Sequence, residues 1–89
     1  MITTQQLEQI GQLAAAGPVY EGLVGQLRNR FPDIHFTFCM DDDVMAAKAL
    51  YEDPAFNLYL IDSSNHCLSF TQDMDVATGV VLAEIETDQ

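Results

Sequence analysis

Residues 56–71 read FNLYLIDSSNHCLSFT. The pieces FNLYLID and HCLSFT alternate apolar and polar side chains, which is typical of β-strands. The intervening Ser63-Ser64-Asn65 suits a three-residue hairpin loop, because the third loop position needs a left-handed residue and Asn tolerates that conformation. The stretch therefore predicts a β-hairpin in which Asp62 pairs with His66.

This pairing divides the hairpin side chains between two faces, because successive side chains of a strand alternate. The predicted first face is bulky and apolar and carries Phe56, Leu58, Leu60, Leu68 and Phe70. The predicted second face is mixed and carries Tyr59, Ile61, Cys67, Ser69 and Thr71. A hairpin alone is marginally stable in water, so the rest of the chain is expected to cover the first face.

Two helices are predicted before the hairpin. Apolar residues recur at helical spacing over residues 4–16, and Thr3 with Gln6 predicts a capping box at the start of this helix. A second helix is expected to begin after Gly17 and to end at about Arg30. The short connection favours a helical hairpin.

A strand is predicted over residues 33–40. Its apolar side chains should join the first face, and the side chains of His35, Thr37 and Cys39 should join the second face. A short helix over residues 41–51 would form a crossover, which would make the strands at 33–40 and 56–62 parallel. The strand at 66–71 could lie between them, antiparallel to both, although the strand order stays open.

The C-terminal residues 73–85 fit two structures. Asp73 and Asp75 suit a helix start, whereas the alternation of Val81, Ala83 and Ile85 suits a strand. We favour the helix. The predicted fold is one α+β domain, residues 1–89, in two layers: an N-terminal helical hairpin, a three-stranded and mainly antiparallel sheet, a short crossover helix and a C-terminal helix.

The composition limits the classes of partner. Of the 89 residues, 14 are acidic and three are basic, which gives a net charge of −11. Such a charge repels nucleic-acid phosphates and anionic membrane surfaces and attracts basic proteins. The sequence contains neither an apolar run of transmembrane length nor the pattern of a signal peptide, so a cytoplasmic protein is expected.

Four side chains are potential metal ligands: His35, Cys39, His66 and Cys67. If His35 and Cys39 lie on one strand, their α-carbons are about 13 Å apart, which is too far for a shared ion. We therefore expect no metal and no cofactor, and two reduced thiols. The chain also lacks a nucleophile elbow and a phosphate-binding loop, which favours a protein that is not an enzyme.

The mixed second face is the remaining candidate site. Its polar and apolar residues suit a protein-binding surface or a homodimer seam, with His35, Thr37, Tyr59, Ile61 and Ser69 as the contact residues. The leading hypothesis is a small, acidic, non-catalytic accessory or adaptor protein. The alternative is a metal- or thiol-dependent redox accessory protein that uses Cys39 and Cys67. A small-molecule pocket between the helices and the sheet stays open as a third function.

The runs LYLID at 58–62 and ATGVVLAE at 77–84 resemble small proteobacterial proteins of unknown function. This resemblance implies a bacterial cytosolic protein. It implies no activity and no site residues.

Overall fold

A computed structural model of the chain describes residues 2–17, 20–44, 47–63 and 69–85. In these ranges the chain forms two α-helices, one 3₁₀ turn and five strands. They are α1 (Thr4–Ala15), α2 (Glu21–Arg30), β1 (His35–Met40), the 3₁₀ turn (Asp41–Asp43), β2 (Tyr51–Asp53), β3 (Phe56–Asp62), β4 (Ser69–Thr71) and β5 (Gly79–Glu84). The predicted α+β class and both N-terminal helices are confirmed, whereas the predicted three-stranded sheet is wrong.

The five strands form one mixed sheet in the order β1-β5-β3-β2, with β4 also paired to β3. β5 is parallel to β1 and antiparallel to β3. β1 and β3 consequently run in opposite directions, so the prediction that they are parallel is wrong. β2 pairs with residues 56–58 of β3 and β4 pairs with residues 60–62, so these two short strands lie end to end along one side of β3.

β5 replaces the predicted C-terminal helix. Four consecutive residues, from Val80 to Ala83, are buried. β5 lies between β1 and β3, where other residues pack against both faces of the sheet. The Asp73 carboxylate, interpreted as a helix start, instead forms a local turn: its Oδ1 accepts from the Asp75 N–H at 2.9 Å. The Asp73 carbonyl accepts from the Ala77 N–H at 3.1 Å, and the chain then enters β5.

The predicted crossover helix over residues 41–51 is also wrong. In the described part of this stretch the helical residues are those of the 3₁₀ turn, and residues 47–50 are irregular. Val44, Ala47 and Ala49 pack against the second face of the sheet, and this burial overrides the helical propensity of the alanines. We call residues 44 and 47–49 the strap.

Both helices cover the first face of the sheet. The capping box of α1 is confirmed: the Gln6 N–H donates to Thr3 Oγ1 at 3.0 Å, and the Thr3 N–H donates to Gln6 Oε1 at 2.9 Å. The main core combines residues of α1, α2 and all the long strands. Its members include Leu7, Ile10, Ala14, Leu23, Val24, Leu27, Phe36, Phe56, Leu58, Leu60, Val80 and Leu82.

The pairing of β3 with β4 differs from the predicted hairpin register. Asp62 pairs with Ser69 and Ile61 pairs with Phe70, whereas the prediction placed Phe70 opposite Leu58. The shift is three residues, and an odd shift exchanges the two faces. Phe70 therefore lies on the second face. Ser69 and Thr71 lie on the first face, although both were predicted on the second. The predicted pairs of His66 and Leu68, and the predicted face of Cys67, lie outside the described residues.

Candidate functional site

The centre of the second face is a small core and not an open surface. Tyr59 is 5% exposed and Ile61 is 1% exposed, and they lie beside the buried Val81 and Ala83 of β5. The strap and the half-buried Cys39 pack over these four residues. The described side chains of the second face are therefore exposed only near the two edges of the sheet.

The strand register shows which residues reach those edges. One row of paired residues runs His35–Gly79–Ile61–Phe70 across the sheet, and the next row contains Thr37, Val81 and Tyr59. His35 and Thr37 are exposed at one edge, and Phe70 is exposed at the other, three strand spacings or about 14 Å away.

The five predicted contact residues consequently do not share one exposed patch. Two of them, Tyr59 and Ile61, are buried, and Ser69 is exposed on the first face. Only His35 and Thr37 are both exposed and on the second face. The role of all five in protein binding stays a prediction.

A carboxylate anchors the 3₁₀ turn to the second face. Asp41 Oδ1 accepts a hydrogen bond from the Tyr59 hydroxyl at 2.7 Å and one from Asn57 Nδ2 at 3.0 Å. Burial raises the pKa of Tyr59 above its ordinary value, and the hydrogen bond to Asp41 raises it further. At neutral pH the hydroxyl thus keeps its proton and donates to Asp41. This arrangement fixes the start of the strap.

The most accessible aromatic side chain of the second face is Phe70. It is 46% exposed, and its ring meets Tyr59 edge-on, with centroids 5.7 Å apart and planes at 70°. Beside it lies a cleft of about 400 Å³ between the strap, β3 and the segment 70–72. We call it the Phe70 cleft; it is lined by Ala47, Lys48, Leu60, Phe70, Thr71 and Gln72.

Sequence reasoning missed this cleft. The predicted register placed Phe70 on the first face, and residues 47 and 48 were predicted in a helix, so no contact between these two segments was expected. An exposed large aromatic residue beside a recess of mixed polar and apolar lining is a recognisable interface feature once the register is known.

The residues considered for metal or thiol chemistry are only partly described. His35 and Cys39 lie on one strand, as the distance argument assumed. Among residues 2–17, 20–44, 47–63 and 69–85, no three His, Cys, Asp or Glu side chains are placed to hold a metal ion. Because His66 and Cys67 lie outside these ranges, the metal and thiol predictions stay predictions.

Neither described helix combines the length and the apolar content that a membrane crossing requires. Residues 5–85 match the model of one protein family, whose description is family of unknown function (DUF6129). The chain belongs to this family, which agrees with the predicted resemblance to proteins of unknown function; the proteobacterial origin stays a prediction. No curated protein and no solved structure matches the chain.

Proposed function

We propose that this member of the DUF6129 family is a non-catalytic adaptor that binds another protein at the Phe70 cleft. The observation that carries the proposal is the exposure of Phe70 beside a recess of about 400 Å³. Aromatic side chains are enriched at the energetic centres of protein interfaces. The matched family region includes every residue that lines the cleft.

The chemistry of the cleft favours a partner with an apolar side chain. Ala47 lines the cleft with an apolar side chain, and Phe70 offers a ring whose inner side contacts Tyr59. Because Tyr59 is buried and bonded to Asp41, little conformational entropy is lost when a partner contacts Phe70. The cleft would form the centre of the interface and not its whole area, since stable interfaces bury about 800 Å² per partner.

The net charge of −11 adds a long-range preference for a basic partner. Within the cleft the charged lining residue is Lys48, so the attraction comes from the surrounding surface and not from the recess itself. The apolar contact would supply the affinity and the charge would supply the encounter rate. Capture should therefore weaken at high salt without disappearing.

The redox alternative uses Cys39 and Cys67. Cys39 is half-buried and packs against the small core that contains Tyr59 and Ile61. Cys67 lies outside the described residues. The alternative stays a prediction, and the Phe70 cleft neither requires nor excludes it.

The substitution Phe70→Ala tests the proposal. We expect the variant to lose most of the proteins that the wild-type chain captures from cells of its native host, because the central apolar anchor is removed. The matched control is Tyr20→Ala, since Tyr20 is a similarly exposed aromatic residue at 47% and precedes α2. Quantitative mass spectrometry of the captured proteins gives the readout.

The result that would contradict the proposal is the same set of captured proteins from Phe70→Ala as from Tyr20→Ala. A thermal unfolding curve shows whether each variant is folded. Phe70→Ala is expected to cost about 1 kcal/mol through its lost contact with Tyr59. That cost leaves the fold intact, so loss of capture would not be explained by unfolding.

A further inference from the structure

The lining of the Phe70 cleft carries one charged group, the ammonium of Lys48. Lys48 is the only lysine in a chain with 14 acidic residues. Its side chain is exposed, and the residues on either side of it, Ala47 and Ala49, pack against the second face of the sheet. The lysine therefore projects from a segment that is fixed on both sides of it.

The other lining groups of the cleft are uncharged. Leu60 and Thr71 lie opposite each other in the β3–β4 pairing with their side chains on the first face, so they line the cleft with backbone atoms. Ala47 and Phe70 line it with apolar side chains, and Gln72 adds a primary amide that can donate hydrogen bonds. An apolar wall and two donor groups, Lys48 and Gln72, thus share one recess of about 400 Å³.

The acidic residues nearest to this recess in the chain and in the sheet are directed elsewhere. Asp73 follows Gln72, but its Oδ1 accepts from the Asp75 N–H at 2.9 Å within a local turn. Glu52 pairs with Asn57, three residues along β3 from Leu60 and about 10 Å away. The lining of the recess is consequently positive, although the net charge of the chain is −11.

This lining fits a carboxylate that is joined closely to an apolar side chain. The terminal residue of a protein chain carries both groups on one α-carbon. Its side chain would contact Phe70 and Ala47, and its carboxylate would accept charge-assisted hydrogen bonds from Lys48. An internal apolar residue would bring a neutral peptide group to Lys48, and covering an unpaired ammonium costs free energy.

We propose that the Phe70 cleft binds the C-terminal residue of a partner protein and that this residue is apolar. The proposal rests on the function proposed above and names the part of the partner that enters the cleft. Recognition of a terminal carboxylate is one of the recurring modes of peptide binding. The rest of the partner is expected to be basic, because a net charge of −11 repels acidic proteins.

Three synthetic peptides test the proposal by titration into the ¹⁵N-labelled full chain. The first has six residues, two of them lysine, and ends in leucine with a free carboxylate. The second is the same peptide with a C-terminal amide. The third extends the first beyond leucine with aspartate, serine and glycine amide, so that its carboxylate belongs to an internal side chain.

The first peptide should shift the amide resonances of residues 47–48 and 70–72 to saturation. The other two should bind about tenfold more weakly, because the hydrogen bond between a terminal carboxylate and Lys48 is lost. Equal binding of the acid and the amide would overturn the proposal. Equal binding of the third peptide, or the absence of saturable shifts at these residues, would overturn it as well.

The substitution Lys48→Gln tests whether the cleft is the source of this preference. In the variant, the acid and the amide should bind within about twofold of each other, because a neutral donor replaces the charged one. The matched control, Arg30→Gln, changes the net charge equally at an exposed position in the last turn of α2 and should keep the tenfold preference. An unchanged preference in Lys48→Gln would contradict the proposed role of the lysine.

Failure of this proposal can be distinguished from failure of the adaptor function. If the acid and the amide bind equally while Phe70→Ala loses the captured proteins, the cleft binds proteins without selecting their termini. If Phe70→Ala and Tyr20→Ala retain the same captured proteins, the adaptor function itself is contradicted.

Discussion

At the scale of single residues, Gly79 lies at a position in β5 where its neighbours in β1 and β3 leave no room for a side chain. A Cβ atom at this position would lie 2.7 Å from the His35 carbonyl oxygen and 3.1 Å from Ile61 Cδ1. The first contact is with backbone, which cannot move without disturbing the β1–β5 pairing. Gly79 therefore determines how closely the edge strand and the central strand approach.

The substitution Gly79→Ala is expected to destabilise the fold by about 1–3 kcal/mol, the usual cost of overpacking a closely packed site. Urea unfolding measures the change. Gly25→Ala is the matched control, since a Cβ there has no neighbour within 4 Å. In the middle of α2 this control should raise stability by up to about 1 kcal/mol. A neutral result for Gly79→Ala would contradict the described register.

At the scale of elements, the strap depends on its anchor at Asp41. The Tyr59 hydroxyl donates to this carboxylate at 2.7 Å from a strand that is buried on both faces. The hydrogen bond joins the 3₁₀ turn to the centre of the sheet, and the strap follows this turn in the chain. Removing the hydroxyl should therefore loosen the strap and leave β3 in place.

Tyr59→Phe should cost about 1.5–3 kcal/mol, the usual range for a hydrogen bond to a charged group. Tyr20→Phe is the control, because Tyr20 is exposed. Chemical denaturation gives the difference, and amide hydrogen exchange should show faster exchange at residues 47–49 in Tyr59→Phe alone. Equal stability of the two variants would show that the anchor contributes little.

Comparison of the wild type with Tyr59→Phe also tests an expected pH dependence of stability. The folded chain holds the Tyr59 proton more tightly than the unfolded chain does, because the pKa of Tyr59 is raised by burial. Its contribution to stability is complete below the unfolded pKa of about 10 and is lost as the pH rises through the higher folded pKa. Wild type should thus lose stability above pH 10 more steeply than Tyr59→Phe.

The elements predicted correctly are those with strong local signals. α1 has a reciprocal capping box, and β1 and β3 alternate clearly in sequence. β5 was predicted only as the alternative to a helix, because its side chains are apolar on both faces and the sequence pattern fits both structures. The strap was missed because its alanines favour a helix in isolation, whereas their contacts with the second face decide the structure.

The candidate site was harder to predict than the fold, because it depends on a register. The face of Phe70 changes with every one-residue shift of β4, and the shift depends on the length of the connection after Asp62. A three-residue loop satisfied the local turn preferences but gave the wrong face. The exposed positions of His35 and Thr37 on the second face followed correctly from the alternation of β1.

At the scale of the whole molecule, the two layers leave the edges of the sheet as the accessible regions. The helices cover the first face, and the strap covers the centre of the second face. The Phe70 cleft lies at one edge and the outward side of β1 forms the other. The chain as a whole carries a net charge of −11, which would attract basic proteins to it.

Site-specific photocrosslinking tests the adaptor function most directly. A photoreactive amino acid placed at Gln72, which lines the Phe70 cleft, should crosslink the chain to a partner protein in cells. The same amino acid at Val76, an exposed position at 46% that does not line the cleft, should give little product. Phe70→Ala should abolish the product at Gln72. Equal yields at Gln72 and Val76, or a yield at Gln72 that Phe70→Ala leaves unchanged, would contradict a binding site in the cleft.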